Sequence, residues 1–202
     1  MRAESGAMAA TSAGVEIEAK VQGGLMKGLK RSMLGGESLF MTTLTAPAAG
    51  GWVDVAARLP GDAMVLPVGQ GLNLTRGSYL ASTTETEVDT KWGGFKTLGG
   101  GEGGFLLHLT GGGTVVTSSY GAIDQVDLGA GESIVVDSGH LVAFDPAVQF
   151  TTRKASKGVM NTLKSGEGFV MEFTGPGRIY TQTRNQASLV SWLTEELPFS
   201  RS

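Results

Sequence analysis

Apolar and polar residues alternate with period two at three places along the chain: Val15-Glu16-Ile17-Glu18-Ala19, Thr86-Glu87-Val88-Asp89-Thr90 and Val148-Gln149-Phe150-Thr151. Such alternation turns one set of side chains to a core and the other to water, so each segment predicts a half-buried antiparallel strand. A glycine and a short apolar run precede each one, as Gly6-Ala7-Met8-Ala9, Gly77-Ser78-Tyr79-Leu80-Ala81 and Gly139-His140-Leu141-Val142-Ala143. After a loop, each is followed by an apolar strand, Leu39-Phe40-Met41, Phe105-Leu106-Leu107 or Phe169-Val170-Met171. Glycine turns then occur at Gly50-Gly51, Thr110-Gly111-Gly112-Gly113 and Thr174-Gly175-Pro176-Gly177. A further strand leaves each turn: Trp52-Val53-Asp54-Val55, Thr114-Val115-Val116-Thr117 and Arg178-Ile179-Tyr180-Thr181.

The order of pieces repeats, and a Gly-Glu phrase repeats within it. Leu34-Gly35-Gly36-Glu37-Ser38-Leu39-Phe40 returns at Gly99–Phe105 and at Lys164–Val170, with Glu37, Glu102 and Glu167 spaced 65 residues apart. A fixed period means one supersecondary unit used three times. Connectors separate the copies, Leu59-Pro60-Gly61-Asp62 and Leu128-Gly129-Ala130-Gly131-Glu132, each followed by a strand, Met64–Val68 and Ser133–Asp137. The first copy lacks a connector before Gly6, which predicts that an N-terminal strand is missing from this chain or replaced by another element. After the third copy Leu189, Trp192, Leu193 and Glu196 fall at helical spacing, Asn185 can cap and Pro198 stops the run. The spacing predicts a short C-terminal helix over 186–197 that packs Trp192 and Leu193 onto the β-body. The expected fold is all-β: three pseudo-symmetric repeats, about 5–68, 76–137 and 138–184, stacked into one antiparallel sandwich- or barrel-like body in a single domain, 1–202.

Composition agrees with many short strands. The chain has 202 residues, of which 32 are glycine, roughly twice the usual share, and they follow no collagen-like period. No cysteine is present, which excludes disulfides, thiolate metal sites and a cysteine nucleophile. The net charge of −3 argues against a general nucleic-acid binder. No apolar run reaches the ~20 residues of a membrane span, and residues 1–6 carry no signal-peptide core. The expected location is cytoplasmic, with peripheral membrane contact as a variant of it.

Charge is distributed unevenly. The loops ahead of the Gly-Glu phrases carry Lys20, Lys27, Lys30 and Arg31, then Lys91 and Lys96, then Arg153, Lys154, Lys157 and Lys164. These are ten of the 16 basic residues, on stretches (20–34, 90–98 and 151–165) without a single acid. Threefold stacking predicts that the loops gather at one end as a basic cap on an acidic trunk. Large apolar residues, Trp92 and Phe95 among them, are interleaved with the bases. That mixture suits an anionic membrane surface or an acidic partner, with Lys27, Lys30, Arg31, Lys91, Trp92, Phe95, Lys96, Lys154, Lys157 and Lys164 in contact. The plainer alternative is that the apolar residues pack inward while the lysines serve solubility.

Catalytic signals are sparse. Glu37, Glu102 and Glu167 sit in glycine turns, where carboxylates commonly accept local backbone N–H bonds, so they read as structural. A small-molecule-binding protein or enzyme using a pocket among these glutamates or His140 is the alternative. His108 and His140 are 32 residues apart, with no close ligand pair, so no metal and no cofactor are expected; His140 reads as a partly buried strand residue. No nucleophile elbow occurs, and the loose GxGxxG at 99–104 opens no helix.

Three stretches carry a resemblance, the last two of them specific: Tyr120-Gly121-Ala122, Val136-Asp137-Ser138-Gly139-His140-Leu141-Val142-Ala143-Phe144-Asp145, and the run from Phe173 to Asn185. With the Gly-Gly-Glu phrase they resemble the altered-inheritance-of-mitochondria family, from about Gly6 to Trp192. The resemblance implies a β-fold similar to the tryptophan RNA-binding attenuation protein and assembly as a homo-oligomer, a trimer being favoured. It implies a bacterial member of unknown function, whose eukaryotic relatives are associated with mitochondrial inner-membrane organisation. It carries over no catalytic residues. The expected function is a non-enzymatic scaffold or binding protein. RNA binding by analogy with the fold's namesake is set aside on charge.

Overall fold

A computed structural model describes residues 1–21, 40–92, 105–154 and 169–197. Over these residues it is mostly β, with several antiparallel sheets and one short helix near the C-terminus. The chain divides into two compact units, one of Met1–Leu59 with Ala63–Ser118, the other of Pro60–Asp62 with Ser119–Ser202.

The first unit contains β1 (Arg2–Glu4), β2 (Met8–Thr11), β3 (Glu16–Val21), β4 (Phe40–Thr45), β5 (Val53–Val55) and β6 (Ala63–Pro67). It continues with β7 (Leu72–Thr75), β8 (Tyr79–Ser82), β9 (Thr86–Trp92), β10 (Phe105–Gly111) and β11 (Thr114–Ser118). Six of these form a sheet in the order β3-β4-β1-β8-β11-β6, while β7-β10-β9 and β2-β5 pair separately. Strand β1 occupies the stretch ahead of Gly6 that the sequence pattern left without a strand; it pairs with β4 and with β8. Small residues let the layers approach here. Ala3, Ala7, Leu44, Leu80 and Ala81 form a buried cluster flanked by Met1, Val53, Val55 and Val116.

The second unit contains β12 (Ile123–Leu128), β13 (Ser133–Asp137), β14 (Leu141–Phe144), β15 (Gln149–Lys154), β16 (Phe169–Thr174), β17 (Gly177–Gln182) and α1 (Gln186–Glu196). Its ladders run β12-β17-β14 and β13-β16-β15. The core is aromatic. Phe144 lies 5.2 Å from Phe150 and 5.2 Å from Phe173, both edge-on, with Met171, Ile179 and Val142 fully buried in the same unit.

Helix α1 starts where the sequence predicts it, on the Asn185 cap, whose side-chain oxygen accepts from the amides of Ala187 (2.8 Å) and Ser188 (3.4 Å). The packing differs from the expectation. Trp192 is 56% exposed and Leu193 only half-buried, and the helix has no buried residue. Spacing placed Trp192 on the inward face; its ring forms the wall of an open cleft instead.

One buried polar group yields a stability prediction. Tyr79 is fully buried, and its hydroxyl lies 2.9 Å from Ser82 Oγ. Burial pushes its pKa above the ordinary 10.0, with Ser82 and Arg2 opposing. The folded state therefore favours the protonated phenol. That stabilisation is complete below the unfolded pKa and is lost as pH rises through the folded one. Tyr79→Phe is expected to cost about 1 kcal/mol near neutrality and to flatten the alkaline decline. Urea unfolding at about pH 7 and about pH 10.5 checks it; an equally steep decline in the variant counts against the assignment.

Candidate functional site

Most of the sequence-predicted contact residues, Lys27, Lys30, Arg31, Phe95, Lys96, Lys157 and Lys164, lie outside the described residues, as do Glu37, Glu102 and Glu167. Their flanks are described. Strands β3 and β4, β9 and β10, and β15 and β16 are three antiparallel pairs. Their last pairings before the connecting segments are Val21 with Phe40, Trp92 with Phe105, and Lys154 with Phe169.

Charge is ordered along each pair. In the first, Glu16 and Glu18 stand opposite Thr45 and Thr43, and Lys20 stands opposite Met41. The second has Glu87 and Asp89 opposite Thr110 and His108, then Lys91 opposite Leu106. In the third, Glu172 faces Thr151, while Arg153 and Lys154 face Val170 and Phe169. Acid thus gives way to base toward the connecting segment, over about 13 Å for four residues of strand.

The histidines lie in separate units. His108, on β10, is half-buried with Nδ1 2.9 Å from Asn73 Oδ1 on β7. His140 ends a 3-10 turn, Ser138–His140, rather than sitting within a strand. Its Nδ1 is 2.7 Å from the Gln182 carbonyl, which can only accept, so Nδ1 carries the proton.

His140 also lines an open cleft of about 400 Å³ in the second unit, walled by Tyr120, Thr183, Arg184, Asn185, Ser188, Leu189 and Trp192; the sequence pointed to His140 as a possible pocket residue but not to these partners. Local chemistry builds it. The Gln182 side chain ties two walls together, donating from Nε2 to the Gly139 carbonyl (2.9 Å) and accepting the Tyr120 amide at Oε1 (2.9 Å). The chain then continues its ladder beyond β17: Thr183 and Arg184 donate their amides to the carbonyls of Ala122 and Tyr120. Arg184 lays its guanidinium over the Tyr120 ring, 5.5 Å from the centroid, within cation–π range. Glycine at 139 makes room for the Asn185 carboxamide that caps α1, which a Cβ there would displace. The signal was present in the sequence. The three stretches that carry the family resemblance supply Tyr120, His140 and the Thr183-Arg184-Asn185 run, and only folding brings them together.

Among the described residues, no helix is long and apolar enough to cross a membrane.

Comparison with known proteins agrees with the resemblance. The family described as mitochondrial biogenesis AIM24 matches residues 1–184. An uncharacterised protein of Streptococcus pyogenes serotype M6 is 31% identical over 182 residues, spanning 88% of this chain and 72% of the relative. A crystal structure of a Streptococcus pyogenes protein superposes with a TM-score of 0.81 at 28% identity, covering 97% of this chain and 88% of that one.

Proposed function

We propose, from the premise that this chain belongs to the mitochondrial biogenesis AIM24 family, that it is a non-enzymatic scaffold whose basic-apolar segments contact an anionic membrane surface. The charge order along β3–β4, β9–β10 and β15–β16 carries this reading. Each pair keeps its carboxylates away from the segment that holds the lysines, so an anionic surface meeting that segment is not repelled by the strand behind it. Trp92 and Phe95 add apolar area suited to the lipid interface. We further propose that the chain is three copies of one five-stranded unit. The pairings β1–β4, β7–β10 and β13–β16, and likewise β2–β5, β8–β11 and β14–β17, support it. Self-association, with a trimer favoured, fits a scaffold role, and no reaction is assigned.

Co-sedimentation with phosphatidylcholine vesicles, with and without phosphatidylserine, tests the contact. A basic residue near an anionic surface contributes about 1 kcal/mol. Three engaged residues would therefore shift partitioning by roughly a hundredfold, and added salt should reverse it. Replacing Lys27, Lys30, Arg31, Lys91, Lys96, Lys154, Lys157 and Lys164 by Gln is expected to abolish the phosphatidylserine dependence. Equal binding by this variant, or no binding by the native chain, would end the proposal.

A further inference from the structure

We propose that the cleft between the β12–β17 ladder and α1 is a binding site for a small organic anion with a flat, apolar body. The argument starts from what lines it. No aspartate or glutamate is among the lining residues, although the chain as a whole is acidic. Arg184 supplies the charge. Its guanidinium is exposed, lies on the Tyr120 face, and forms no ion pair among the described residues. Held over a ring face rather than by a carboxylate, the guanidinium keeps its N–H donors for a carboxylate or phosphate, the groups that arginine recognises best.

Neutral donors surround it. Asn185 spends its oxygen on the α1 amides, which leaves its NH₂ facing the Gly139 side of the cleft. Thr183, just beyond β17, and Ser188, on α1, also line the cleft. Thr183 Oγ1 already accepts the Ala122 amide at 2.9 Å, so its own proton is available to donate outward. His140 presents an oriented edge. With Nδ1–H committed to the Gln182 carbonyl, Nε2 is the ring nitrogen turned to other partners and accepts when the ring is neutral, which suits a hydroxyl on the ligand.

The apolar share comes from α1. Leu189 and Trp192 are three residues apart, hence on one helix face, and both line the cleft. Trp192 is 56% exposed, an unusual place for a large ring that has no layer over it. A planar ligand body laid against it would recover that area. A volume of about 400 Å³ falls within the range of small-molecule sites. The framework is already fixed by Gln182, the Asn185 cap and the close approach at Gly139, so little ordering of the Tyr120 and His140 walls is required on binding.

This site is separate from the proposed membrane contact, and either can fail without the other. The test uses the full chain, titrated by calorimetry with 2-naphthoate, its neutral counterpart 2-naphthamide, and inorganic phosphate. Naphthoate is expected to saturate one site and to bind roughly tenfold or more tightly than the amide, as a charge-assisted bidentate contact requires. Arg184→Gln should bring naphthoate down to the level of the amide and leave the amide unchanged, while Trp192→Ala weakens both. Arg184 and Trp192 are exposed, so both variants should melt close to the native temperature, which circular dichroism verifies. Failure of naphthoate to saturate the protein at millimolar concentration overturns the proposal. So does equal binding of naphthoate and naphthamide, phosphate binding as tight as naphthoate, or full naphthoate affinity in Arg184→Gln.

Discussion

Phe144→Ala is expected to lower the unfolding free energy by about 3–5 kcal/mol, the range for emptying a large aromatic from a packed core. Phe144 has no exposed surface, and two rings meet it edge-on at 5.2 Å. Phe150 and Phe173 are 6.0 Å apart and tilted, so neither ring can fill the vacancy without losing its contact to the other. Edge-on ring pairs contribute about 0.5–1.5 kcal/mol beyond area burial, which places this site at the upper part of the range. Phe144→Leu keeps most of the volume and should cost less, about 1.5 kcal/mol. Urea denaturation reads both, with an unchanged m-value as the sign that the native state is otherwise intact. A loss under about 1 kcal/mol for the alanine variant would mean that the aromatic cluster is not packed as described. The position also bears on the cleft, because β14 begins one residue after His140 and pairs with β17, which ends at Gln182.

Gly61→Ala is the second large effect expected, by roughly 2–3 kcal/mol through backbone collision. A methyl group there would run into the Ser119 carbonyl and the backbone of Gly121. Those atoms cannot retreat cheaply. Asp62 donates its amide to the Gly121 carbonyl at 2.9 Å, and Gly121 donates to Pro60 at 3.0 Å. Ser119 donates to the Asp62 carbonyl at 3.0 Å, and the Ile123 amide is held by Asp62 Oδ2 at 3.1 Å. Separating the two segments by a few tenths of an ångström weakens all four bonds together. Amide hydrogen exchange should show faster opening at Ser119, Gly121 and Ile123, and Tyr120, carried between them, should lose its fixed place in the cleft. Native-like exchange at these amides in the alanine variant would refute the constraint.

Much of the strand pattern was legible from local sequence because β9 obeys the rule in full, with Val88 buried between exposed Glu87 and Asp89. Strand β3 has the same pattern without the burial. It stands at the edge of its sheet, and Ile17 is 53% exposed although the alternation assigns it inward. Period two reports which side chains share a face; whether a layer covers that face is decided by distant chain. Strands β7 and β12 escaped notice for different reasons. Leu72-Asn73-Leu74-Thr75 alternates cleanly but is too short for a periodicity to declare itself. Ile123-Asp124-Gln125-Val126-Asp127-Leu128 spaces its apolar residues unevenly and owes its conformation to six pairings with β17. Helix α1 was legible down to its cap, because Asn185 acts on amides two and three residues away. The placement of Trp192 was not, since it depends on Tyr120 and His140 across the cleft. The site as a whole follows the same rule: its parts were visible as separate phrases, and their convergence is a property of the ladder between β12 and β17.

Among the described residues, helix α1 meets its unit through the Asn185 cap and two half-buried leucines, Leu189 and Leu193, with nothing fully enclosed. Such an element detaches at small free-energy cost while the strands beneath stay closed. The two sides of the cleft are therefore expected to differ in stiffness, paired backbone on one side and on the other the helix that bears the indole. An occupant gripping both sides would quiet the helix more than the paired backbone opposite it.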